Sequence, residues 1–134
     1  MEPSVLKASR LREEHIKWRR GNFENKKGFF PVFYGFQDFL PDLSSGAVSL
    51  FLYIGLHSNN QTGECYHDLT TIANFFGKSS RTISTWFKEL EEQGLIERIQ
   101  LEFNGVSHTF IKPYTSIAAT NPNNIDTREG NNNE

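Results

Sequence analysis

Apolar residues recur along this chain with two different periods, and the period changes at Gly94. Upstream, Ala47, Leu50, Phe51 and Ile54 stand at i, i+3, i+4 and i+7, which places them on one face of a helix opened by Ser44 or Ser45. Val48, Leu52 and Leu56 form a second stripe, so this helix is apolar nearly all round. Such a helix is central in a small fold or is partly covered by a second subunit. The polar run Ser58-Asn59-Asn60-Gln61-Thr62-Gly63 ends it, and Cys65-Tyr66 follows as a short strand. A second helix starts at the N-cap Asp68, repeats the same spacing with Leu69, Ile72, Ala73 and Phe76, and stops at Gly77. A third is capped by Ser79 or Ser80, buries Ile83, Trp86, Phe87 and Leu90, and ends at Gly94. Only Gly77 and Lys78 separate the second helix from that cap. Two short helices joined by a tight glycine turn make a helix-turn-helix unit.

Beyond Gly94 the period is two. Ile99, Leu101 and Phe103 alternate with Arg98, Gln100 and Glu102, Asn104-Gly105 is a hairpin turn, and Val106 to Ile111 returns. A two-residue loop sets Phe103 opposite Val106, Leu101 opposite His108 and Ile99 opposite Phe110. This face is apolar except for His108, and it is expected to lean on the helices while the Gln100–Thr109 face stays wet. The expected fold is α+β, mainly α: a winged helix-turn-helix with three core helices and a C-terminal β-hairpin wing.

Ahead of this block, Gly28 to Phe36 is aromatic-rich and bounded by glycines, and reads as a strand that Pro31 confines to an edge or to a strand's start. Val5 to Arg20 is free of Gly and Pro and can form a basic helix, but its apolar residues form no clean stripe, so it reads as a weakly held arm. Asn121 to Glu134 contains six Asn among fourteen residues and is expected to be disordered. The expected organisation is a basic N-terminal arm at 1–27, a winged helix-turn-helix domain at 28–114 and an Asn-rich tail at 115–134.

Composition supports that division. Thirty-seven of the 49 apolar residues fall between Gly28 and Tyr114, which locates the core. No apolar run exceeds the five residues Leu50 to Ile54, far short of the roughly 20 that a membrane-spanning helix needs. The N-terminus does not read as a signal peptide, and a single cysteine cannot form an internal disulfide, so a cytoplasmic protein is expected. Cys65 is expected to be a small buried hydrophobe. Charge is divided: residues 1–34 carry eight Lys or Arg against four acids, and residues 35–111 carry four against nine. Nucleic-acid binding must therefore come from local placement of cations and not from net charge.

Local placement is most pronounced on the third helix. Arg81, Ser84, Thr85 and Lys88 repeat the spacing of the apolar stripe displaced by two residues, about 200° around the helix at about 100° per residue. Arg suits guanine edges or phosphate, small hydroxyls permit close approach, and Lys suits phosphate. Glu89, Glu91 and Glu92 repel phosphate, which leaves the N-terminal half of helix 80–92 to enter a groove. The candidate DNA-contacting set is Lys78, Ser79, Ser80, Arg81, Thr82, Ser84, Thr85 and Lys88, with Thr70 and Thr71 from the preceding helix and Asn104 from the wing tip. The basic arm can add attraction along the phosphates. Cys65, His57 and His67 have no recognised zinc spacing, and neither a phosphate loop nor a nucleophile elbow occurs. No enzyme activity, metal or cofactor is expected.

Several short motifs make the chain similar to a known family. They are Leu43-Ser44-Ser45-Gly46-Ala47 and the segment Asn59 to Cys65, then Ser79-Ser80-Arg81-Thr82-Ile83 and Lys88 to Ile96. Together they resemble the winged helix-turn-helix domains of phage- and plasmid-encoded replication-initiation proteins and regulators of Gram-positive bacteria. That family commonly has Pro-Ser before the second helix where this chain has His67-Asp68. The resemblance implies a double-stranded DNA partner and a role in transcription regulation or replication initiation, and a homodimer is expected. The alternative is a winged helix used for protein–protein assembly, which the acidic middle and the aromatic segment permit.

Overall fold

The computed structural model describes residues 2–101 and 105–114. The chain divides into two compact units, Met1–Phe30 and Pro31–Glu134. In the first, α1 (Ser4–Glu24) follows Pro3 and buries none of its residues. It runs through Gly21, and Arg10 is tied to Glu2 and Glu14 on its surface. The absence of a buried face matches the lack of a clean apolar stripe.

The second unit holds the core. A 3-10 helix (Tyr34–Asp42) leads into α2 (Ser45–Leu56), then β1 (Glu64–Cys65), α3 (Leu69–Phe76), α4 (Ser80–Glu92), β2 (Ile96–Gln100) and β3 (Ser107–Ile111). The three strands form an antiparallel sheet in the order β1-β3-β2. Ala47, Leu50, Phe51 and Ile54 of α2, Ile72 of α3 and Ile83, Phe87 and Leu90 of α4 are buried together, joined by Cys65, Leu95 and Ile96. These belong to the stripes that the 3.6-residue period selects, of which Leu69, Phe76 and Trp86 are half-buried. The second stripe of α2 is not covered to the same extent, since Leu52 and Leu56 are exposed. The arrangement is a winged helix-turn-helix.

Two expectations are corrected. Residues 28–36 form no strand: 27–33 are irregular and Tyr34 begins the 3-10 helix. The Phe33 N–H donates instead to the Tyr114 hydroxyl at 3.0 Å, and Phe36 stacks on Phe51 with ring centroids 4.4 Å apart. Phe36 is the one aromatic side chain of this segment that is buried, while Phe29, Phe33 and Tyr34 are exposed.

The hairpin is also displaced. Ile99 pairs with His108, Arg98 with Thr109 and Glu97 with Phe110, two residues away from the register that a two-residue turn imposes. A shift of two keeps each residue on its own face, yet the buried face is the opposite of the expected one. Thr109 is 1% exposed and Ile96 2%, whereas Ile99, Leu101 and Val106 are 39%, 59% and 49% exposed. The inner face is completed by Ile111 and by the stem of Arg98, whose guanidinium lies over the Phe87 ring at 4.2 Å. A long Arg side chain covers apolar surface as an aliphatic residue does. Phe103 lies outside the described residues, as does the tail at 115–134.

Candidate nucleic-acid interface

The turn between α3 and α4 is built by three local devices. Asp68 caps α3 by accepting a hydrogen bond from the Thr71 N–H at 2.8 Å, and the hydrogen bonds from Thr71 hold its carboxyl below the usual carboxylate range. Gly77 ends α3 in the left-handed conformation at φ 64°, where a residue without Cβ pays no steric penalty. The Lys78 N–H then donates back to the Ala73 carbonyl at 3.1 Å, closing the helix end. Ser79 caps α4 by accepting from the Thr82 N–H at 3.2 Å, and its hydroxyl shares a 3.0 Å hydrogen bond with that of Thr82.

α4 is held on two flanks. On one, the Trp86 indole packs edge-on to Phe76, with centroids 5.5 Å apart, and fills the space over Gly46 of α2. On the same side Glu89 accepts from the Ser44 N–H at 2.9 Å and from the Ser44 hydroxyl at 2.7 Å. On the other flank Phe87 meets Arg98 of β2. Between these supports Ser80, Arg81, Ser84, Thr85 and Lys88 are exposed. Arg81 and Lys88 make no ion pair among the described residues. The Thr85 hydroxyl donates to the Arg81 carbonyl at 3.1 Å and so lies along the helix instead of projecting from it.

Most of the candidate residues therefore come together on one surface. Lys78, Ser79, Ser80, Arg81, Ser84, Thr85 and Lys88 are exposed there, Thr82 is half-buried by its cap contact, and Thr70 and Thr71 are exposed on the first turn of α3. Asn104 lies outside the described residues. Glu91 and Glu92 are exposed at the C-terminal end of α4, whereas Glu89 is engaged with Ser44 away from the cationic face.

Several supporting contacts escaped the sequence reading. The Gly46–Trp86 approach and the Ser44–Glu89 clasp join residues 40 or more positions apart. The only local signal was a small residue in the first turn of α2. His108, read as closing one edge of the apolar face, pairs with Glu64 and meets the Tyr66 ring edge-on. His67 Nδ1 hydrogen-bonds the Tyr53 hydroxyl at 2.6 Å. Among the described residues no cluster of three His, Cys, Asp or Glu forms a metal site, and no helix is long and apolar enough to cross a membrane.

Residues 42–96 match a family model described as a helix-turn-helix domain. The matched span runs from the end of the 3-10 helix through α2, α3 and α4 to the first residue of β2. It contains both helices of the turn and every candidate residue except Asn104. The helix-turn-helix domain supports DNA as the partner. No curated protein and no solved structure matches the chain.

Proposed function

We propose that this protein binds double-stranded DNA in a sequence-specific manner by inserting the start of α4 into the major groove. It acts as a homodimeric transcription regulator or replication-initiation protein of a phage or plasmid, and not as an enzyme. One observation carries the reading: α4 buries Ile83, Phe87 and Leu90 and offers Arg81, Ser84, Thr85 and Lys88 exposed on its other side, with Arg81 and Lys88 free of any ion pair among the described residues. Arg81 reads a base edge, while Lys78, Ser80, Ser84, Thr85 and Lys88 hold phosphates or neighbouring edges. The first turns of a recognition helix are the part that reaches the bases, which leaves Glu91 and Glu92 clear of the duplex.

Selection of duplexes from a random pool, followed by gel shifts, tests this reading. Arg81→Ala should weaken the selected site by about 1–3 kcal/mol and relax preference at one position. Unaltered affinity and preference would overturn the assignment. Two-fold symmetry in the selected sites would support the dimer.

A second reading, protein–protein assembly, is favoured by the exposed apolar outer face of the sheet, where Tyr66, Ile99, Leu101 and Val106 are open to solvent. Titration with duplex at low salt separates the two: salt-dependent binding supports DNA recognition, and no binding supports assembly.

A further inference from the structure

The inner face of the sheet carries a cation that neither the cap contacts nor the candidate set accounts for. Arg98 sits in the middle of β2, in register with the buried Thr109, so its stem runs inward towards the helices. Its guanidinium carbon lies 4.2 Å from the centroid of the Phe87 ring. Its Nε is buried and makes no hydrogen bond. Among the described residues it has no carboxylate partner, although residues 35–111 contain nine acids. Glu97, on the other face of the sheet, pairs with Lys112, Glu89 is held by Ser44 on the opposite flank of α4, and the exposed Glu91, one turn beyond Phe87, makes no ion pair with Arg98.

A guanidinium held over an aromatic face is restrained there, and its outer N–H groups can grip two oxygens of one anion. Position then identifies the anion. At about 100° per residue, Ser80 and Ser84 lie within about 60° of Phe87 around α4, on the side leading to Arg81 and Lys88. The half-buried Arg98 thus borders the exposed hydroxyl-and-cation face along its sheet-side edge.

We propose that Arg98 grips a backbone phosphate of the duplex whose groove α4 enters, supplying the charge that the wing otherwise lacks. The proposal rests on the DNA-binding reading above. A contact of this kind positions the protein on the duplex and carries no base preference.

The test uses the full chain and the duplex selected from a random pool, with binding measured from low to moderate salt. Arg98→Gln should weaken selected and scrambled duplexes by the same factor, about five- to tenfold. The slope of log K against log salt should fall in magnitude by about 0.9, the value for one phosphate contact. Arg98→Met keeps an apolar stem over Phe87 should the Gln variant fold poorly, and should show the same loss of slope. Arg98→Lys, which keeps the charge without the planar fork, should restore the slope but not the full affinity. Unchanged affinity and slope in Gln and Met variants that fold would overturn the proposal, as would a loss confined to the selected sequence. If Arg81→Ala weakens binding and Arg98→Gln does not, only Arg98 is wrong. If the wild-type chain binds no duplex, the reading of α4 falls and Arg98 with it.

Discussion

The indole of Trp86 occupies the space that a Cβ on Gly46 would fill: an added methyl there would collide with Trp86 Cε2. Gly46 is in the first turn of α2, so Ala would gain up to about 1 kcal/mol of backbone propensity in isolation. Overpacking a fitted aromatic costs typically about 1–3 kcal/mol, and the indole cannot swing aside freely because its edge also meets Phe76. Gly46→Ala should therefore lower the denaturant midpoint. In a Trp86→Leu background the same change should be neutral or stabilising, and an equal loss in both backgrounds would show that the approach is not the cause.

Ser44 caps α2 and holds α4 at the same time. Its hydroxyl accepts from the Ala47 N–H at 3.1 Å while donating to Glu89 at 2.7 Å. Ser44→Ala should cost about 1 kcal/mol, the usual worth of an N-cap. Glu89→Ala should cost less, because the cap survives it. Chemical denaturation of the two single variants and the double variant should show less than additive losses, and strict additivity would mean that the clasp contributes nothing.

The helices were legible in the sequence because their signals are local. Asp68 and Ser79 cap, Gly77 stops α3, and the stripes of α2, α3 and α4 select the residues that are buried. The exposed face of α4 could be read for the same reason, since whatever lies opposite a buried stripe on an isolated helix is offered to solvent. The sheet could not be read this way. A period of two identifies two faces but not which one meets the helices, and here the decision falls to Leu95 and Ile96 entering the core and to Arg98 acting as an apolar stem. The segment 28–36 was misread because strand propensity is local, whereas the Phe33 N–H finds its partner in the Tyr114 hydroxyl, far along the chain.

Truncations along β2 distinguish its inner face from its outer one. Ile96 and Ile99 are three residues apart on β2, 2% and 39% exposed. Ile96→Ala should cost about 2–5 kcal/mol, the range for a buried aliphatic truncation. Ile99→Ala should cost under about 1 kcal/mol, in line with an exposed position. The reverse order in thermal denaturation would restore the face expected from the sequence.

Cys65 is fully buried, and burial pushes its thiol above the ordinary value, outweighing a backbone hydrogen bond at His67. Only the thiolate reacts readily with disulfide reagents. The native protein at pH 8 should therefore leave its thiol unlabelled on a timescale over which the denatured chain is labelled completely. Rapid native labelling would place Cys65 outside the core.

His57 links stability to pH. Burial, and then the neighbouring imidazole of His67 with its ring centroid 4.6 Å away, hold His57 below its ordinary value of 6.5. The unfolded chain accepts a proton at a higher pH than the folded one, so it binds more protons as pH falls past about 6.5 and is favoured there. The stabilising contribution is full above that value and is lost progressively on the acid side, down to the depressed folded value. Asp68, held below the carboxylate range, stays ionised through this interval and does not add to the change. The effect is modest because His57 is an exposed residue. Denaturant midpoints should fall between pH 7.5 and pH 5.5, and His57→Gln should flatten that dependence; an equally steep profile in the variant would remove His57 as its source.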